Sequence, residues 1–301
     1  MKPGVILCTG GSGQLGTALA ALASVRGLEL RAVSRPAFDF ERLETVAAAF
    51  FAASPSLVIN AAAYTAVDAA ESDVAAAEAG NHTGPLALAK LCAAAGVPFI
   101  HVSTDYVFDG TKGAPYVEDD PTAPSGVYGR TKRDGELAVL AACPKTIILR
   151  TAWVYSQTGK NFARTMLNAA RKTNTLRVVA DQRGTPTAAQ DLAASILDIV
   201  VVLQENGWHD SYKGIYHATC SGETTWHGFA TAIFEAAAPC GLTPPTVTPI
   251  ATADWPTPAK RPADSRLDCA KLSKVFGVTL PHWRQSLPEI VRGLLTLDKP
   301  N

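Results

Sequence analysis

The sequence predicts an α/β protein built on a doubly wound parallel sheet, followed by a smaller and less regular α/β part. Three observations carry this. Short β-rich runs alternate with helical stretches through the first half. The runs are apolar throughout rather than on alternate residues, as strands covered by helices on both faces must be. A glycine-rich turn ends the first run and opens a helix, and right-handed crossovers wind such units to both sides of the sheet.

Taken in order, "GVILCTG" (4–10) is the first strand and "QLGTALAALASVRG" (14–27) a helix closed by Gly27. "LELRAVS" (28–34) is the second strand, 41–55 a helix, and "SLVINAAA" (56–63) the third strand. The stretch 73–96 is helical and disturbed near Gly84-Pro85, because proline removes a helix donor. "VPFIHVST" (97–104) is a strand, a helix begins near Val127, and "TIILRTAW" (146–153) is the next strand. Beyond it lie 175–187, a helix over 188–203, the strand "GIYHATC" (214–220), a helix over 224–241, a proline-rich loop or short strands over 242–262, and two short helices. The expected division is a dinucleotide-binding part over 1–150, with about 188–218 packing back on it, and a second part over 151–301.

The bulk properties narrow the function classes. The chain has 301 residues, long enough for two lobes, with 47% hydrophobic and 18% charged residues and a formal net charge of zero. Nothing in that balance favours nucleic acid or a membrane surface as partner. The six cysteines are scattered, without zinc spacing, and suit a reducing cytosol. The apolar run in "MKPGVILCTGGSG" is too short for a secretory leader, and no run reaches membrane-spanning length. A cytoplasmic protein is expected.

"TGGSGQLG" sets Gly10, Gly13 and Gly16 at three-residue steps between strand and helix. Gly10 permits the tight turn, Gly13 the approach of a pyrophosphate, and Gly16 the packing of helix on sheet. Free N–H groups at the helix start then face the anion. The fold expected is therefore Rossmann-like. The second strand ends in Ser34-Arg35, with Arg31 nearby; a hydroxyl and a guanidinium suit a 2′-phosphate, so NADPH is expected, with NADH as the alternative. Asp39-Phe40 lie in reach of the adenine, and Ala61-Ala62-Ala63 leave room for the nicotinamide side.

Tyr128 and Lys132 stand four residues apart, on one face of a helix. A neighbouring ammonium, with a cofactor ribose between, is expected to lower the phenol pKa and make tyrosine a usable acid. Ser103-Thr104 end the preceding strand, where ligands bind in open α/β sheets, and Thr104 is placed to donate to a substrate carbonyl. Trp153, just past a strand, suits stacking on a sugar. "AKRP" (259–262) offers a basic side chain for a diphosphate.

These motifs together resemble the extended short-chain dehydrogenase/reductase family. The longer strings "VINAAAYTAVDAAESD" (58–73), "HVSTDYVFDG" (101–110), "YGRTKRDGE" (128–136), "LRTAWVYS" (149–156), "DQRGTPT" (181–187) and "RPADSRLDCAKL" (261–272) resemble, within it, the dTDP-4-dehydrorhamnose reductases. The resemblance covers nearly the whole chain. It implies reduction of the 4-keto group of dTDP-4-dehydro-L-rhamnose to dTDP-L-rhamnose, with Tyr128 as acid, Lys132 on the nicotinamide ribose and Thr104 at the substrate oxygen. It implies Asp105 and Trp153 at the sugar, Gly13, Gln14 and Leu15 under the pyrophosphate, and Asp39, Phe40, Ala62, Ala63 and Tyr64 along the dinucleotide. Some members bridge a dimer through a metal held by an acidic residue two positions after the third glycine. Ala18 stands there, so no bridging magnesium is expected, and monomer and homodimer both remain open. Two alternatives also stay open: a nucleotide-sugar epimerase or dehydratase of the same superfamily, and a non-catalytic dinucleotide-binding regulatory subunit.

Overall fold

Strand β1 (Ile6–Thr9) sends Ile6 and Cys8 to one face of the sheet and Leu7 to the other, and all three are fully buried. That two-sided burial recurs in the central strands and explains why they read as continuous apolar runs, whereas the edge strand that carries Arg31 is partly exposed. The computed structural model describes residues 4–297; the first three residues of the stretch read against a leader lie outside them.

After β1 come α1 (Gln14–Val25), β2 (Leu30–Val33), α2 (Leu43–Ala53), β3 (Leu57–Asn60), the short helices α3 (Val67–Ala70) and α4 (Val74–Glu78), α5 (Gly84–Ala95), β4 (Phe99–Thr104), α6 (Val127–Ala142) and β5 (Thr146–Thr151). The expected disturbance near Gly84-Pro85 is a π-helical turn over Ala79–Thr83, which carries the chain from α4 into α5 with Pro85 in the first turn of α5.

The second half adds β6 (Val154–Tyr155), α7 (Phe162–Ala170), β7 (Thr175–Val179), β8 (Arg183–Gly184), β9 (Thr187–Ala188), α8 (Ala189–Asn206), β10 (Gly214–His217), β11 (Thr224–Thr225), α9 (Trp226–Ala237), β12 (Thr246–Ile250), α10 (Ala270–Phe276) and α11 (Leu287–Leu297). β12, within the proline-rich stretch, pairs in parallel with β7.

The main sheet is six-stranded, in the order β10-β5-β4-β3-β1-β2, and every pairing is parallel. The order reverses beside β1. The carboxyl ends of β1 and β3 therefore diverge into loops on either side of a crevice, the place where open α/β sheets bind ligands. One apolar layer joins α1 and α8 to Ile59 and Leu149; the other joins α2, α5 and α6 to Val58 and Ile148. The first layer continues into α9 and α11, so the irregular second half is packed on the sheet through shared core rather than tethered by a linker.

Candidate active site

A cavity of ≈ 690 Å³ opens at the carboxyl ends of β1, β3, β4 and β5, within the usual size range of small-molecule sites. Gly10, Gly13, Gln14, Leu15 and Gly16 line one end. Gly10 has φ +72, and a Cβ there would meet the backbone nitrogen of Ala62 at 2.7 Å. A Cβ on Gly16 would press into the carbonyl of Gly10. The turn and the start of α1 thus touch backbone to backbone. Gly13 caps α1 without a side-chain acceptor, which leaves first-turn N–H groups for an anion. Gln14 accepts from the Ser156 hydroxyl at 3.0 Å, tying this turn to the second half.

The end of β2 corrects part of the expected cofactor wall. Ser34 and Arg35 do line the cavity, but the Arg35 guanidinium is shared with Asp39 (3.2 Å) and Glu41 (2.9 Å). Arg31 faces away and donates to the Ala52 carbonyl at 2.8 Å. Phe38, rather than Phe40, reaches the cavity; Phe40 is buried against Gly84 in the core. Asp39 is occupied by Arg35, Arg42 and the Glu41 N–H. Ala61, Ala62 and Ala63 line the wall, whereas Tyr64 turns its hydroxyl to Asp73 at 3.4 Å. The backbone of Tyr64 is bracketed by Asn81, which also donates to Thr131 of α6 at 3.1 Å. Asn81 escaped the sequence reading because its partners are 17 and 50 residues away.

At the centre, α6 brings Tyr128 and Lys132 to the carboxyl end of β4. Glu71 accepts from the Val127 N–H at 2.8 Å and so caps the start of α6. Farther along, Glu136 grips Arg150 of β5 through two bonds of 2.9 and 2.7 Å, with both side chains almost completely buried. Lys132 is buried and donates to the Val102 carbonyl at 2.7 Å. Thr104 accepts from the Tyr106 N–H at 3.2 Å and donates to Asp105 at 3.0 Å. The ring of Tyr106 meets that of Tyr128 edge to face at 5.4 Å. The residues expected to act together, Thr104, Asp105, Tyr128 and Lys132, all line this cavity.

Burial dominates the electrostatics of these side chains. The phenol of Tyr128 is not lowered by Lys132; burial pushes it up to about 12, against a smaller lowering by the Thr104 hydroxyl. Burial likewise brings Lys132 down to about 8, although Glu136 favours its charge, and lifts Asp105 to about 6. At neutral pH Tyr128 therefore stays protonated. A phenol is still a far stronger acid than an alcohol, so transfer from it to a forming alkoxide runs downhill.

Trp153 closes the other end of the cavity, stacked on Trp226 with centroids 3.6 Å apart. Trp226 lies 73 positions beyond Trp153, at the start of α9, and no local sequence signal pairs the two. Lys160 adds a cation to the rim near the glycine turn and was also missed. Arg261 of "AKRP" is paired with Asp68 at 2.8 Å, and neither it nor Lys260 lines the cavity. Two buried hydroxyls on the wall, Ser103 Oγ and Thr151 Oγ1, have no protein partner. Such groups fit a ligand with its own donors and acceptors, as a nucleotide has, because leaving them unpaired costs about 1–3 kcal/mol each.

Comparison with known proteins gives consistent likenesses. A family model described as the RmlD substrate binding domain matches residues 4–296. A dTDP-4-dehydrorhamnose reductase of Sinorhizobium fredii is 45% identical over 291 residues, covering 97% of this chain and 98% of that one. The crystal structure of a dTDP-4-dehydrorhamnose reductase from Clostridium acetobutylicum superposes with a TM-score of 0.87 at 37% identity, over 95% of this chain and 98% of that one. One from Bacillus anthracis, solved in complex with NADP, gives a TM-score of 0.86 at 30% identity over the same shares.

Proposed function

The chain belongs to the RmlD substrate-binding-domain family, and from that premise we propose that it reduces the C4 keto group of dTDP-4-dehydro-L-rhamnose to dTDP-L-rhamnose with NADPH. The observation that carries this reading is the convergence of Thr104, Tyr128 and Lys132 in the cavity that begins at the Gly10–Gly16 turn. The sheet half, 1–150 with 188–218, is assigned to the dinucleotide, and the rest of 151–301 mainly to the nucleotide sugar. Among the described residues no helix is long and apolar enough to cross a membrane, and all six cysteines are unpaired, which supports a cytoplasmic setting.

NADPH, when bound, supplies the hydride that the sugar C4 accepts. The chain's residues do the rest. Gly13, Gln14 and Leu15 meet the pyrophosphate, Ser34 and Arg35 the 2′-phosphate, and Lys132 the nicotinamide ribose. Tyr128 gives its proton to the oxygen at C4. Thr104 donates to the same oxygen, which requires its bond to Asp105 to break, because the hydroxyl has one proton. Trp153 and Asp105 face the sugar. The test is consumption of NADPH by the purified protein with the keto sugar made in situ. A protein that keeps a bound dinucleotide without consuming it speaks for an epimerase instead.

Two outcomes are expected at the ends of the site. Arg35→Asp shifts the ratio of NADPH to NADH efficiencies toward NADH. The Arg35 pair with Glu41 is exposed and cheap to break, worth about 0–1 kcal/mol, so a phosphate can displace it. An unmoved ratio removes Arg35 from cofactor choice. Trp153→Ala weakens dTDP-L-rhamnose binding by about tenfold, as loss of a well-stacked aromatic does, with NADPH affinity retained; calorimetric titration of each ligand separates the two.

A further inference from the structure

One string from the sequence, "DQRGTPT" (181–187), has no part in the chemistry above. We infer that its first residues, with Trp226 and Thr252, form a brace that positions Trp153 for the sugar ring. The inference rests on the reading of Trp153 as the sugar-facing aromatic.

Trp153 has φ +48, a region that a bulky residue holds only when its surroundings over-determine it. Those surroundings are identifiable. The Trp153 ring lies flat on Trp226, with planes 9° apart. A Cβ on Gly184 would come within 2.5 Å of the Trp153 ring, so the chain has room for the indole only because residue 184 lacks one. Phe162 backs Trp226 at 4.7 Å.

Trp226 is held in turn by a hydrogen-bond chain with one consistent direction. Its Nε1–H donates to Gln182 Oε1 at 3.1 Å. Gln182 Nε2 donates to Thr252 Oγ1 at 3.1 Å. The Thr252 hydroxyl donates to Asp181 Oδ1 at 2.6 Å, and its N–H adds a bond of 2.9 Å to Oδ2. An indole N–H can only donate and a carboxylate can only accept, so the two ends fix the orientation of the amide and the hydroxyl between them. Gln182 is 5% exposed, so the middle of this chain is shielded from water, while Thr252 and Asp181 anchor it at the surface. The brace thus runs from a surface turn at Thr252 to a ring on the cavity wall. Its product is a rigid two-indole pair that holds Trp153 on the cavity wall, where an indole suits the C–H groups of a pyranose. Trp226 and Gln182 are positioning residues here; Trp153 meets the sugar.

The test compares W153A, W226A, W226F, Q182A and the double W153A/W226A by titration with dTDP-L-rhamnose and, separately, with NADPH. W226A is expected to weaken dTDP-L-rhamnose binding by about tenfold, W226F to restore most of it, and Q182A to weaken it by about threefold, with NADPH affinity unchanged throughout. The double is expected to bind no more weakly than W153A, since Trp226 acts only through Trp153. The near-ultraviolet circular-dichroism couplet of the stacked indoles is expected to vanish in W226A. If W153A itself leaves dTDP-L-rhamnose affinity intact, the reading of the sugar site fails and the brace with it. If W153A weakens binding but W226A and Q182A do not, or if the double mutant's losses add, the brace alone is overturned. Q182A decides the matter should W226A fail to fold.

Discussion

Tyr128→Phe is expected to lower turnover of the keto sugar by at least ~100-fold, the usual size of a general-acid contribution. NADPH affinity is expected to stay near that of the parent, because Tyr128 stands on α6 and takes no part in the glycine turn that receives the pyrophosphate. The ring remains, still packed edge to face on Tyr106, so the substitution removes a proton donor without opening a void. With Tyr128 held up to about 12, the parent's acid stays loaded across the neutral range, and no loss of activity from its deprotonation is expected there. Steady-state kinetics with both ligands varied separate the two parameters. Turnover within a fewfold of the parent removes Tyr128 from the chemistry.

Arg150→Ala is expected to cost about 3–5 kcal/mol of stability, the range found when one partner of a buried ion pair is removed. Both side chains are almost wholly buried, and Glu136 would be left as an uncompensated charge between α6 and β5. The loss reaches the site because Glu136 lies one turn beyond Lys132 and favours its charged form. Arg150 also sits over the ring of Phe108 at 4.9 Å, so packing is lost along with charge. Replacing both partners, Arg150→Met with Glu136→Leu, is expected to recover much of the stability, since an apolar pair of similar volume leaves no orphan charge. Urea unfolding of the parent and the two variants checks this. A single mutant within ~1 kcal/mol of the parent would show that water or a neighbour already satisfies Glu136.

The centre of the sheet was legible because β1, β3, β4 and β5 are buried on both faces and so carry no polar alternation to confuse with a helix face. The glycine turn was legible because backbone contact between Gly10, Gly16 and Ala62 admits no side chain. The convergence of Tyr128, Lys132 and Thr104 followed from spacing and from the strand end. What the sequence hid lies mostly in long-range packing. Phe38 and Phe40 are two apart, and the turn closed by the Asp39–Arg42 bridge decides which one reaches the cavity. Trp226 and Asn81 act through partners far along the chain, with no local periodicity to mark them. α7 escaped because it is a nine-residue helix between irregular segments.

The central claim is that Tyr128 and Thr104 converge on the oxygen being reduced. A crystal structure of the protein with NADP and dTDP-L-rhamnose tests it most directly. The expected result is the sugar O4 within hydrogen-bond reach of both hydroxyls, about 2.6–3.2 Å, with the sugar ring against Trp153. A sugar seated with O4 turned away from Tyr128, or in a cleft apart from the Gly10–Gly16 turn, would contradict it.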